Sequence, residues 1–243
     1  MANSYFRFKQ FTIHQEQCAM KVTTDGCLFG AWCAAEAQNL HLPAAHTLLD
    51  IGGGTGLLSL MYAQLHSGAS MHAVEYDPAA AIQATKNANE SLWADRIAIF
   101  QQDIKTFRPE VKYDVIISNP PFYEQQWQGP QAKKNAAHHS TELSLDQLFE
   151  AVGRLLQPGG YFLVLLPWYR CEEAIRLAEV RSLFVANTVA VRQTPAHDFF
   201  RCMLLFEREQ PATAIKSELV VEQDSRRYSE AFTALLKDYY LNL

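Results

Sequence analysis

The chain has 243 residues, a formal net charge of -5, 49% hydrophobic and 19% charged residues. This is the composition of a globular domain large enough to bury a substantial core. No run approaches the ~20 apolar residues of a membrane-spanning helix, and Met1 to Gln10 lacks the apolar core of a signal peptide. A cytoplasmic location follows as the expectation. The acidic balance works against a general affinity for nucleic acid and leaves only a local basic patch for such a partner. The five cysteines (Cys18, Cys27, Cys33, Cys171, Cys202) are odd in number and have no short paired spacing. They read as buried, reduced thiols, and no metal site is expected.

The first 45 residues form an extension ahead of a regular alternation of strands and helices. His46 to Ile51 is a short apolar run ending in glycines, a buried strand. Leu57 to Leu65 follows as a helix and Ser70 to Glu75 as a strand. Pro78 to Ser91, alanine-rich with proline at its start, opens a helix. Ile97 to Phe100 and Tyr113 to Ser118 are further strands. Ser144 to Leu156 is a helix with Ser144 as its N-cap. Pro158-Gly159-Gly160 is a turn, Tyr161 to Leu166 a strand and Cys171 to Val180 a helix. Leu183 to Val191 and Arg201 to Glu207 are two strands joined by a proline-containing hairpin. The tail adds a strand at Leu219 to Val221 and a helix from Tyr228 to Leu241. The whole reads as one α/β domain, residues 1–243. Its core at 46–207 is a Rossmann-like, seven-stranded, mostly parallel sheet with an antiparallel hairpin near its C-terminal end. Functional residues should then lie just after strands, at their carboxyl ends.

They do. Asp50-Ile51-Gly52-Gly53-Gly54-Thr55-Gly56 follows the first core strand and opens a helix. Glycine permits the tight turn and lets backbone amides approach a ligand. A glycine loop alone also suits a dinucleotide, but Asp50 ahead of it would repel a pyrophosphate and suit a ligand carrying an ammonium group. Glu75 ends the next strand, where an acidic residue binds ribose hydroxyls. Asp103 follows the third strand, where a carboxylate can accept from an adenine amino group. Asp77, beside Pro78, reads as a helix N-cap.

After the fourth strand comes Ser118-Asn119-Pro120-Pro121-Phe122. Two prolines fix backbone dihedrals and remove two donors, leaving a rigid shelf of acceptors. The Asn119 side-chain oxygen is one acceptor and the Pro120 carbonyl a second. Phe122 supplies a flat apolar face. An exocyclic amine delocalises its nitrogen lone pair into its ring. Two acceptors on the amine hydrogens hold that group against a methyl donor and favour localisation of the lone pair, without a strong base. The aromatic face suits a base turned out of its helix or loop.

The ordered set Asp50-x-Gly52-x-Gly54-x-Gly56, Glu75, Asp103 and Asn119-Pro-Pro-Phe122 resembles the class I amino-methyltransferases. The resemblance implies that Asp50, Gly52, Gly54, Gly56, Glu75 and Asp103 bind S-adenosylmethionine, and that Asn119, Pro120 and Phe122 serve the target amine. Lys21 to Trp32, His138-His139 with Leu143 to Leu145, and Tyr228 to Leu241 are similar to one bacterial family, the tRNA1(Val) adenine-N6-methyltransferases. That likeness implies an anticodon-loop adenosine, position 37 of a tRNA, as target, and places Thr24 near the cofactor. Many adenine-N6 enzymes carry Tyr where this chain has Phe122, and Phe there also resembles guanine-N2 RNA methyltransferases.

Arg7, Lys9, Lys21, Lys133, Lys134, Arg226 and Arg227 are candidate phosphate contacts. The segment Tyr123 to Thr141, with Trp127, the two lysines and two histidines, is a candidate substrate clamp. Three alternatives stay open at the level of sequence: guanine-N2 methylation of RNA, N5-methylation of a protein glutamine, and a non-catalytic cofactor-binding module. No obligate protein partner is evident.

Overall fold

The computed structural model describes residues 3–18, 20–121, 143–224 and 227–243. Phe122, the 123–141 segment with Lys133 and Lys134, and Arg226 lie outside these described residues.

A short hairpin, β1 (Tyr5–Arg7) and β2 (Thr12–His14), precedes helix α1 (Thr24–Ala37). The core then runs β3 (Thr47–Ile51), α2 (Leu57–Leu65), β4 (Ser70–Glu75), α3 (Pro78–Asn89), β5 (Ile97–Gln101) and β6 (Tyr113–Ser118). It continues with α4 (Leu145–Leu155), β7 (Leu156–Pro167), α5 (Cys171–Glu179), β8 (Phe184–Arg192) and β9 (Phe199–Glu207). The tail supplies β10 (Ile215–Val220), a small hairpin of β11 (Glu222–Asp224) and β12 (Arg227–Tyr228), and α6 (Glu230–Leu236).

Eight strands form one sheet in the order β10-β8-β9-β7-β6-β3-β4-β5. The pairs β7·β9 and β8·β9 are antiparallel; the others are parallel. The sheet thus has one strand more than the seven expected, because β10 pairs in parallel with β8 at the edge. Successive strand residues face opposite sides, the two-residue period of a pleated sheet. Leu48, Val115, Ile117, Leu163 and Leu165 join one core with α1 and α2, while Leu49, Ile116, Phe162, Val164 and Leu166 join the other with α4.

Local chemistry accounts for the elements. Ser144 caps α4 in a reciprocal box with Gln147, and Leu145, Leu148, Phe149, Val152 and Leu155 bury one stripe. Asp77 caps α3 by accepting from Ala80 N at 2.8 Å, as its sequence position implies. The Pro158-Gly159-Gly160 turn is a bulge within one strand: β7 pairs with β6 through Leu156, then resumes at Tyr161. The C-terminal helix is shorter than the expected Tyr228 to Leu241, starting after the Ser229 cap and ending at Leu236. The chain beyond it turns so that Tyr240 bridges to Phe8, and Leu241 is exposed. The five cysteines are free and buried. Among the described residues, no helix is long and apolar enough to cross a membrane.

Candidate active site

Strand register brings the sequence motifs together. Ile51 pairs with Ser118 on one side and with Val74 on the other, and Glu75 pairs with Gln101. Gly52, Asn119, Glu75 and the turn carrying Asp103 therefore emerge side by side at one edge of the sheet. Ser118 Oγ donates to Ile51 O at 2.9 Å, pinning the start of the Asn119 shelf to the strand that carries the glycine loop. Asn119 is half-buried, Pro120 buried and Pro121 exposed.

The glycine loop is held by backbone bonds and by Glu75. Gly52 N donates to Val74 O at 2.8 Å, and Gly54 N to Glu75 Oε2 at 2.8 Å. Glu75 Oε1 accepts from Asp77 N at 2.8 Å. The carboxylate expected to meet ribose hydroxyls thus also braces the loop; each oxygen keeps a further lone pair. Gly52 and Gly54 have φ of 76° and 54°, a left-handed backbone that disfavours other residues. A Cβ on Gly52 would meet nothing within 4 Å, and one on Gly54 only Gly52 O at 3.9 Å. The loop is an open cradle. Behind it, α2 begins at Gly56 with no side-chain cap on its first amides.

Asp50 lies beneath the cradle, with no exposed surface. Its Oδ2 accepts from Ser59 Oγ at 2.9 Å, while Oδ1 is buried without a partner. Burial pushes its carboxyl up to about 7; the Ser59 bond opposes this and the nearby Glu75 charge adds to it. A buried carboxylate with one unmatched oxygen fits a ligand that brings a positive donor, the ammonium of S-adenosylmethionine. The open cradle and the acid at the end of β4 suit the rest of that molecule.

Asp103 is half-buried and caps its own turn: Oδ1 accepts from Lys105 N at 2.9 Å, and Lys105 Nζ lies 3.3 Å from Oδ2. Its carboxylate is thereby fixed at the end of β5.

Helix α1 completes the site, and its position was not legible as a helix. Thr23 is its N-cap and accepts from Gly26 N at 3.2 Å; Thr24 is exposed in the first turn. A Cβ on Gly26 would sit 3.6 Å from Asn119 Nδ2 and 3.7 Å from Leu57, so the first turn of α1 packs directly beside the shelf. Asp25 in that turn pairs with Arg201 of β9 at 2.8 Å, tying α1 to the far side of the site. Asn87, almost fully buried, donates to Thr55 O and His14 O at 2.8 Å and accepts from His14 N at 3.0 Å. It couples the N-terminal hairpin to the glycine loop. None of these three contacts has a local sequence signal.

The proposed phosphate contacts are placed unevenly. Lys9 donates to Lys237 O, Lys21 donates to Gln15 O at 3.3 Å, and Arg227 pairs with Asp224 at 2.6 Å. Arg7 lies on β1. Among the described residues, no group of three His, Cys, Asp or Glu side chains is arranged to hold a metal ion.

Comparison with known proteins gives the fold and the family. The family model of the methyltransferase small domain matches residues 34–176. Among solved structures, a predicted O-methyltransferase from Agrobacterium tumefaciens superposes with a TM-score of 0.64 at 15% identity, covering 90% of this chain and 99% of its own. A glycopeptide N-methyltransferase solved with sinefungin gives 0.55 at 14% identity, covering 75% and 87%. At such identities the likeness concerns the fold, that of class I methyltransferases. Sequence relatives are much nearer. The tRNA1(Val) (adenine(37)-N6)-methyltransferase of Dyadobacter fermentans is 41% identical over 98% of both chains. That of Parabacteroides distasonis is 38% identical over the full length of both. On this similarity, end to end, the chain belongs to the tRNA1(Val) (adenine(37)-N6)-methyltransferase family.

Proposed function

We propose that this chain, acting as a single domain, transfers the methyl group of S-adenosylmethionine to the exocyclic N6 amine of adenosine 37 in tRNA1(Val). The observation that carries the reading is the Asn119-Pro120 shelf, which register sets beside an open glycine cradle in a chain of this family.

The residues divide the work. The open turn of Gly52, Gly54 and Gly56 is the floor on which the cofactor lies, Asp50 faces its ammonium, Glu75 its ribose hydroxyls and Asp103 its adenine amine; Thr24, in the first turn of α1, stands near the cofactor on the side of Asn119. Bound S-adenosylmethionine supplies an electrophilic methyl group on a cationic sulfur. The Asn119 side-chain oxygen and the Pro120 carbonyl each accept one hydrogen of the N6 amine. They fix its direction and stabilise positive charge as it grows on the nitrogen; the new N–C bond forms as the methyl leaves its sulfur, and the surplus amine proton then passes to water, so positioning and electrostatics replace a strong base. Asn119 Nδ2 lies toward Gly26, where the absent side chain leaves room for the amide. Phe122, next in sequence after the shelf, supplies the stacking face for the base.

The test uses labelled S-adenosylmethionine with tRNA, ribosomal RNA and protein extract in separate reactions, followed by digestion. N6-methyladenosine from tRNA is the expected product. Label in N2-methylguanosine or in glutamine would replace this reading with one of its alternatives.

A further inference from the structure

The sheet edge does not end level with Asn119. Ser118 pairs with Val164, yet β7 runs on through Leu165 and Leu166 to Pro167, where it still pairs with Arg201 of β9. Three further residues at ~3.3 Å each carry β7 as a wall about 10 Å past the end of β6 at Ser118, and so about 7 Å past Asn119. The wall stands on the side of Asn119 away from the glycine cradle, since β6 separates β7 from β3 in the sheet. Its top is aromatic. Trp168 follows β7 and is 37% exposed, and Tyr169 beside it is 69% exposed. Phe199, at the start of β9, has its ring 5.0 Å from that of Trp168, and the Arg192 guanidinium lies 4.1 Å over the Phe199 ring.

These groups are held in place. Arg192 pairs with Glu218, and Arg201 with Asp25. The arginine heads are thus largely neutralised, so the wall offers π faces rather than net positive charge. That combination suits unpaired nucleobases, each of which has a face to stack, better than the phosphates of a duplex. The height matters too. Measured from Asn119, about 7 Å is roughly two stacked-base spacings of ~3.4 Å, the reach from a base lowered onto Asn119 to its loop neighbours.

We propose that Trp168, Tyr169 and Phe199, with Arg192 backing Phe199, form a stacking platform for the unpaired nucleotides that flank the target adenosine. The proposal rests on the RNA reading above and adds the surface that recognises the loop. Nothing in it calls for base-specific hydrogen bonds at the wall, so the platform selects for unpaired, splayed nucleotides.

The experiment compares the unaltered chain with Trp168→Ala, Phe199→Ala and Trp168→Phe. The probe is an RNA hairpin with an adenosine in its loop; binding and methylation are measured separately, and S-adenosylmethionine affinity serves as a control. Each alanine variant should raise Kd and KM for the hairpin about 5- to 100-fold, with kcat and cofactor affinity nearly unchanged. Trp168→Phe should restore most of the affinity. The salt dependence of binding should keep its slope, because stacking neutralises no phosphate. Alanine variants that bind the hairpin as the parent does would overturn the platform while leaving the methylation reading intact. A parent chain that binds the hairpin through Trp168 yet methylates no adenosine would do the reverse.

Discussion

Replacing Asp50 with asparagine removes one buried ionisation from beneath the glycine cradle, and its consequence can be worked from the structure. Burial holds the Asp50 carboxyl at about 7, against 3.8 for the ordinary group. Between about pH 4 and pH 7, the unfolded chain has already lost a proton that the native state keeps. The native state then binds more protons, so stability is full below about pH 4 and falls as pH rises through 7. At ~1.36 kcal/mol per pH unit, the gap between 3.8 and about 7 amounts to on the order of 4 kcal/mol. The substituted amide has no such titration and can still accept the Ser59 hydroxyl. Urea unfolding from pH 4.5 to 8 should show the parent losing stability relative to Asp50→Asn by up to that amount. The ligand arm sharpens the test. S-adenosylhomocysteine carries the same ammonium, which favours the ionised carboxylate. Its binding to the parent should tighten by up to about tenfold per pH unit below 7 and level off above, with release of a proton. Superimposable stability curves for parent and Asp50→Asn, together with pH-independent ligand affinity, would refute the assignment of Asp50.

Other expectations follow from the same geometry. Gly54→Ala places a Cβ in the open cradle on a left-handed backbone; it should cost about 1–2 kcal/mol in unfolding experiments and weaken cofactor binding more than tenfold by calorimetry. Arg96 donates to the carbonyls of Ala63, His66 and Ala69 at 3.2, 2.9 and 2.8 Å, closing the end of α2. Arg96→Ala should lower stability by about 2 kcal/mol with the activity of the folded fraction unchanged. Asn119→Ala should reduce kcat roughly 10²- to 10³-fold while cofactor affinity survives, read in single-turnover reactions.

How much of this was legible depended on where each residue's partners lie. Helix α2 and strands β4 and β6 match the sequence expectation to the residue, because the apolar runs there end abruptly in histidine, charge or Asn-Pro. Helix α1 gave no period to read: Gly26 to Ala34 are buried on every side, so no polar stripe marks its exposed face. Strand β10 was legible only at its end, since Ile215 to Glu218 are exposed on a sheet edge and lack the alternation of a half-buried strand. The glycine loop, Glu75, Asp103 and Asn119 were found at strand ends because a parallel sheet gathers its functional groups there. The Asp25–Arg201 pair joins residues from opposite ends of the chain and could be seen only after folding. The wall above Asn119 was hidden for a related reason: its height depends on the β6–β7 register, and its aromatic residues come from β9 and the turn after β7.

The reaction turns on one nitrogen of one base. Purified tRNA1(Val), methylated by this chain and cleaved into defined fragments, can be mapped by mass spectrometry for both the position and the atom modified. A single added methyl on N6 of adenosine 37 is expected, formed far more slowly when Asn119→Ala replaces the parent. A methyl group on a guanine, or at any position outside the anticodon loop, would contradict it.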